Sequence, residues 1–90
     1  MGALFSAVIP GFVKEFADGD TAFMEGNEPS GAKAVVGLRI NDITTGAILS
    51  VDINSTAIAF DGCAVGEEIA GRFTAINAAS TVDSIHVYYV

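Results

Sequence analysis

From residue 31 onward, apolar side chains fall at every second position in short runs, and nothing else in the chain restricts its fold as strongly. In "AVVGLRIN", Val36, Leu38 and Ile40 alternate with Gly37, Arg39 and Asn41; in "ILSVDIN", Leu49, Val51 and Ile53 alternate with Ser50, Asp52 and Asn54. A period of two belongs to a strand with one face on a core, because successive side chains point to opposite faces of a sheet. Turn-forming residues interrupt the runs at intervals of roughly eight to twelve positions, the spacing of a sandwich or barrel. The expected fold is all-β, a small antiparallel sandwich or barrel of about five strands with an extended apolar N-terminal arm.

The first two runs are joined through "NDITTGA", where Thr45 and Gly46 read as a turn, so they are expected to pair as a hairpin. "TAIAF" is the third strand, with Ile58 and Phe60 on one face and only alanines on the other, which permits close approach. Asp61 and Gly62 then suit a tight turn. In "EIAGRFTAINA" the alternation slips between Phe73 and Ile76, which places a bulge or bend near Thr74 and Ala75. The last strand is "SIHVYYV". Ile85, Val87 and Tyr89 should face the core, and His86, Tyr88 and Val90 a neighbouring subunit or the arm. A strand apolar on both faces invites aggregation unless it is paired, so this end should lie inside a sheet or between subunits.

The loop signal "GNEPSGAK", residues 26 to 33, divides the chain into an N-terminal arm and loop, residues 1–30, and a β domain, residues 31–90. Phe5, Val8, Ile9, Phe12, Val13 and Phe16 could make a helical stripe, but Pro10 and Gly11 interrupt it. The expectation is an extended or irregular arm with one short helical turn around residues 12 to 17. Each exposed phenylalanine would forgo about 1.5–3 kcal/mol of burial, so the arm needs a cover from its own domain or a neighbour. Phe5, Phe12 and Phe16 therefore join His86, Tyr88 and Val90 as candidate interface residues. The apolar opening lacks the positive flank of a signal peptide, and Lys14 and Glu15 end it too soon for a membrane span.

Composition bears on partners. Of 90 residues, 51% are hydrophobic and 17% charged, more apolar surface than one small core can hide, so a homo-oligomer is expected, a trimer among its symmetric forms. The net charge of −7, with only Lys14, Lys33, Arg39 and Arg72 as cations, argues against nucleic acid and against a membrane surface. Protein partners remain.

No catalytic constellation emerges, and no cofactor is expected. His86 is the single histidine, so one chain holds neither a histidine triad nor a multi-histidine metal site, although three-fold association could gather three copies. Cys63 is the single cysteine, and Glu67 and Glu68 behind it oppose thiolate formation; a small hydrophobe under a turn is the better reading. Asp18, Asp20 and Glu25 could hold Ca²⁺, but Pro29 stands where an EF-hand requires its bidentate glutamate. A solvated acidic loop is favoured.

"GEEIAGRFTAINAASTVDSIHVYY", Gly66 to Tyr89, resembles the small β-rich virion proteins of tailed bacteriophages, in which a run such as "GRFTAI" precedes the final strand pair. The resemblance covers about a quarter of the chain. It implies a structural, non-enzymatic role in the virion after assembly in the host cytoplasm. Capsid decoration, a cement that bridges major capsid subunits, comes first and a tail or fibre component second. A receptor- or carbohydrate-binding β module is the alternative from another class, with Tyr88 and Tyr89 but no tryptophan to stack on a sugar.

Overall fold

A computed structural model describes residues 11–17, 19–44 and 46–90. All regular structure among them is strand: β1 (Phe12–Ala17), β2 (Thr21–Ala22), β3 (Val35–Asp42), β4 (Leu49–Ile53), β5 (Thr56–Phe60), β6 (Glu68–Ala70), β7 (Ala75–Ile76) and β8 (Ser84–Tyr89). They form two four-stranded antiparallel sheets, ordered β1-β8-β3-β6 and β2-β7-β4-β5.

The two orders correspond strand for strand. β1 runs on into β2, β3 into β4, β5 into β6 and β7 into β8, so the fold is one antiparallel sheet of four long ribbons bent over its own middle. Hydrogen bonds continue round the bend. Asp83 N–H donates to Asp42 C=O at 2.9 Å, Thr81 to Ile48 at 2.7 Å and Asn77 to Ser50 at 2.9 Å, joining the ribbon of β7 and β8 to that of β3 and β4. On the other flank Gly66 donates to Ile40 at 2.8 Å and Cys63 to Ala47 at 2.9 Å. The ladders thus run on from one sheet into the other through these crossings.

The bend explains where alternation misleads. β3 and β4 do not form the expected hairpin; they lie in different sheets, because the segment between them is the bend of one ribbon, held by Thr44 on the Asp83 carboxylate. The hairpin is β4–β5, closed by Asn54 and Ser55 with φ of 50° and 71°. Positive φ at both central residues is the mark of the I′ turn, whose twist suits adjacent strands. Likewise "EIAGRFTAINA" is two strands, not one bulged strand: β6 ends at Ala70, the chain crosses through Phe73, and β7 starts at Ala75 in the other sheet. At Gly71 a Cβ would stand 2.7 Å from the Phe73 ring, so the crossing needs glycine there.

The described part of the expected arm is extended, and it is bound into both sheets. Phe12–Ala17 pairs along its whole length with β8, replacing the expected helical turn, and Thr21–Ala22 pairs with β7. Phe16 and Phe23 enter the core, with ring centroids 5.1 Å apart in an edge-to-face contact that closes this side between the sheets. The long stretch after β2 is a loop, as its sequence indicates, but it returns the chain between two parts of one core. Among the described residues the strands number eight, where the sequence suggests about five.

Between the sheets, Leu38, Ile40, Ile85, Val87 and Tyr89 from one layer meet Leu49, Val51 and Ile76 from the other, with Val82 between them. Each is at most 1% exposed, and burying such a side chain stabilises by about 1.5–3 kcal/mol. Val36 does not take the inward place its run suggests. A register shift between Val35 and Gly37 puts Val35 in the core instead, the local effect of a bulge.

Candidate interaction surfaces

β8 is one of the two inner strands of the first sheet, flanked by β1 and β3, so it is held by ladders on both sides. Ile85, Val87 and Tyr89 face the core as expected, each fully buried. Tyr89 also carries its hydroxyl to the other layer, donating to Phe23 C=O at 2.6 Å. Burial first, and then the charge of Glu28, pushes this phenol up to about 12.

On the outer face, β8 supplies a row that reads Glu15, His86, Arg39, Glu68 across four strands, charges of alternating sign around the histidine. The next row is Val13, Tyr88, Gly37, Ala70. Tyr88 is buried at 7% exposure, and its hydroxyl donates to Glu68 Oε2 at 2.6 Å. Its phenol is pushed up to about 12 by burial first and then by that carboxylate.

The candidate interface residues therefore separate. Phe16 packs in the core and Tyr88 hydrogen-bonds Glu68, and both are buried within the chain. Phe12 and His86 are half-buried, Val90 is 44% exposed, and Phe5 lies outside the described residues. Phe12 and Phe16 lie on β1, His86 and Tyr88 on β8, and Val90 directly after β8.

A different edge has the properties of a contact surface. β5 is the outer strand of the second sheet, and among the described residues no strand lies beyond it. Its two-residue hairpin closes on the pair Ile53 and Thr56, so Thr56, Ile58 and Phe60 bond to β4 while Ala57 and Ala59 direct N–H and C=O outward. The strand has no charge and no proline, the devices that ordinarily blunt an edge. Beside it the seam between the sheets is only partly closed: Ile58, Phe60 and Ile69 are half-buried, and Val65 is 59% exposed.

The other edges are guarded. On β1 the side chain of Lys14 shares the inward face with Phe12 and Phe16, lies 5.3 Å from the Phe16 ring and bonds to Asn27 C=O. An inward-pointing cation on an edge strand deters a further strand. β2 has two residues, and β6 has three and opens on Glu68 after Glu67. The sequence signal for β5 was present in the uncharged "TAIAF" with its alanine face; its edge position was not, because that depends on which strands pair.

At one end of the sandwich a depression of about 370 Å³ is lined by Met24, Val35, Ile53 and Phe73 together with the polar side chains of Glu25, Lys33, Asn54, Arg72 and Thr74. Two of the chain's four cations thus line one hollow of mixed polarity, formed by the loop after β2, the β4–β5 turn and the crossing at Phe73.

Cys63 is buried beneath its turn and donates to Phe60 C=O at 3.2 Å. Burial, followed by Glu67 and Asp61, pushes its thiol up. Of the acidic trio, Asp18 lies outside the described residues, Asp20 accepts the Ala78 N–H at 2.8 Å, and Glu25 lines the depression. Among the described residues no three His, Cys, Asp or Glu side chains converge on one point. Comparisons with protein families, with curated proteins and with solved structures give no match to this chain.

Proposed function

We propose that the chain is a structural subunit of a larger protein assembly, and most concretely a capsid decoration protein that bridges and stabilises the shell subunits of a tailed bacteriophage. One observation supports an assembly role above others: β5 presents an uncharged, unblunted edge beside an apolar seam. Such an edge gains backbone hydrogen bonds and apolar cover together when another chain is laid against it. The resemblance of residues 66 to 89 to small virion proteins narrows the assembly to a virion. The role is one of geometry: contacts repeated over a lattice accumulate affinity without a pocket or a reaction. Homo-oligomerisation belongs to the same reading, as do protein partners in place of nucleic acid or membrane.

The test is recovery of the chain with purified phage particles. On a density gradient, the account expects it in the shell fraction at a fixed copy ratio to the major capsid protein. Recovery at a fixed ratio in detached tails would replace decoration by a tail role. Absence from particles, or a ratio that varies between preparations, would overturn the virion reading.

A further inference from the structure

We propose that β5 pairs with β5 of a second copy of this chain, antiparallel across a two-fold axis at Ile58, joining the two second sheets into one. This deepens the assembly reading by naming the partner of one edge, and it rests on that reading only for its biological use.

The register is self-complementary. With Ile58 opposite Ile58, Ala57 faces Ala59 of the second copy and Ala59 faces Ala57, so the residues whose N–H and C=O point outward meet as hydrogen-bonded pairs. Thr56 faces Phe60, and just beyond the strand Asp61 faces Ser55. No carboxylate opposes another in the ladder, although each chain carries −7. Like charges directly opposite would oppose pairing, and this register contains none. The two half-buried Ile58 side chains meet at the axis and cover each other on the side of the open seam. An isologous contact of this kind closes at two copies and leaves no free β5 edge.

Light scattering and sedimentation of the full chain over rising concentration should show a monomer–dimer equilibrium. The register is tested by paired substitutions on the exposed alanine face, where side chains touch no core. Ala57→Lys with Ala59→Lys sets like charges opposite across both pairs and should weaken association by about tenfold. Ala57→Lys with Ala59→Glu sets opposite charges there and should associate at least as well as the unaltered chain. Should either pair disturb folding, Ala59→Pro removes only an outward N–H and should abolish the dimer while leaving the circular dichroism of the monomer unchanged. A chain that stays monomeric up to about millimolar concentration, the weak limit of specific association, overturns the proposal. Oligomers that respond equally to both charge pairs, or to none of the variants, overturn it too. Either result can occur with the chain still found on particles, so this pairing and the virion role fail separately.

Discussion

The Tyr88 hydroxyl donates to Glu68 Oε2 at 2.6 Å across β3, at the row where β3 carries Gly37. No side chain of β3 intervenes in that row, so an outer-face residue of the inner strand β8 is tied to the edge strand β6. Tyr88 and Tyr89 are the only tyrosines, and the fold raises both from 10 to about 12. Because the folded chain keeps the phenols neutral, their stabilising contribution is fully present below pH 10 and is lost as the pH rises through about 12. Phenolate absorption should stay absent through pH 10 and then rise together with loss of the β-type circular dichroism. Free titration near pH 10 in a folded chain would contradict the burial of both rings.

Phe16→Ala should cost about 3–5 kcal/mol of stability, the range for removing a packed core phenylalanine. Its effect should appear in denaturant unfolding of the dispersed chain, where a residue used only between subunits would leave the midpoint unchanged. Deleting residues 2–25 removes β1, β2 and Phe23 together, and circular dichroism should report an unfolded chain.

Tyr89→Phe keeps the ring in the core and strands the Phe23 carbonyl it now satisfies. A cost of about 1–3 kcal/mol follows from leaving a buried acceptor unpaired. Chemical denaturation should show it with little change in the slope, since the surface exposed on unfolding is nearly the same.

Ser55 holds φ of 71° in the β4–β5 turn, a conformation that costs an L-residue roughly 1 kcal/mol and glycine almost nothing. Ser55→Gly should therefore raise the thermal midpoint by a few degrees. The side chain at position 55 is exposed, so no packing is lost.

What the residues reveal on their own is facing; what they conceal is pairing. Alternation correctly aimed Leu38, Ile40, Leu49, Val51, Ile85, Val87 and Tyr89 at the core, because a period of two acts within one strand. Pairing depends on the bend. The hairpin turn read at Thr45 and Gly46 is not the one the fold uses: Thr45 lies outside the described residues and Gly46 sits between strands of different sheets, whereas the real hairpin turn, Asn54 and Ser55, lacks the usual glycine. β1 was hidden for another reason: Phe12 and Phe16, four apart, fit a helix face as well as a strand face, and Lys14 between them masks the period. The slip at Phe73 and Ile76 was legible as an irregularity, and its cause is a crossing between layers. The β5 edge could be read as uncharged but not as an edge.

Amide hydrogen exchange on the full chain, resolved by residue, in dispersed and assembled states, tests most directly the claim that this protein works through an open strand edge on a closed fold. The account predicts slow exchange from Ile85 to Tyr89 in both states, since β8 is paired on both sides. The amides of Ala57 and Ala59 should exchange fast when dispersed and slow at least tenfold on assembly, about 1.4 kcal/mol of protection. Equally fast exchange of Ala57 and Ala59 in the assembled state would contradict the account.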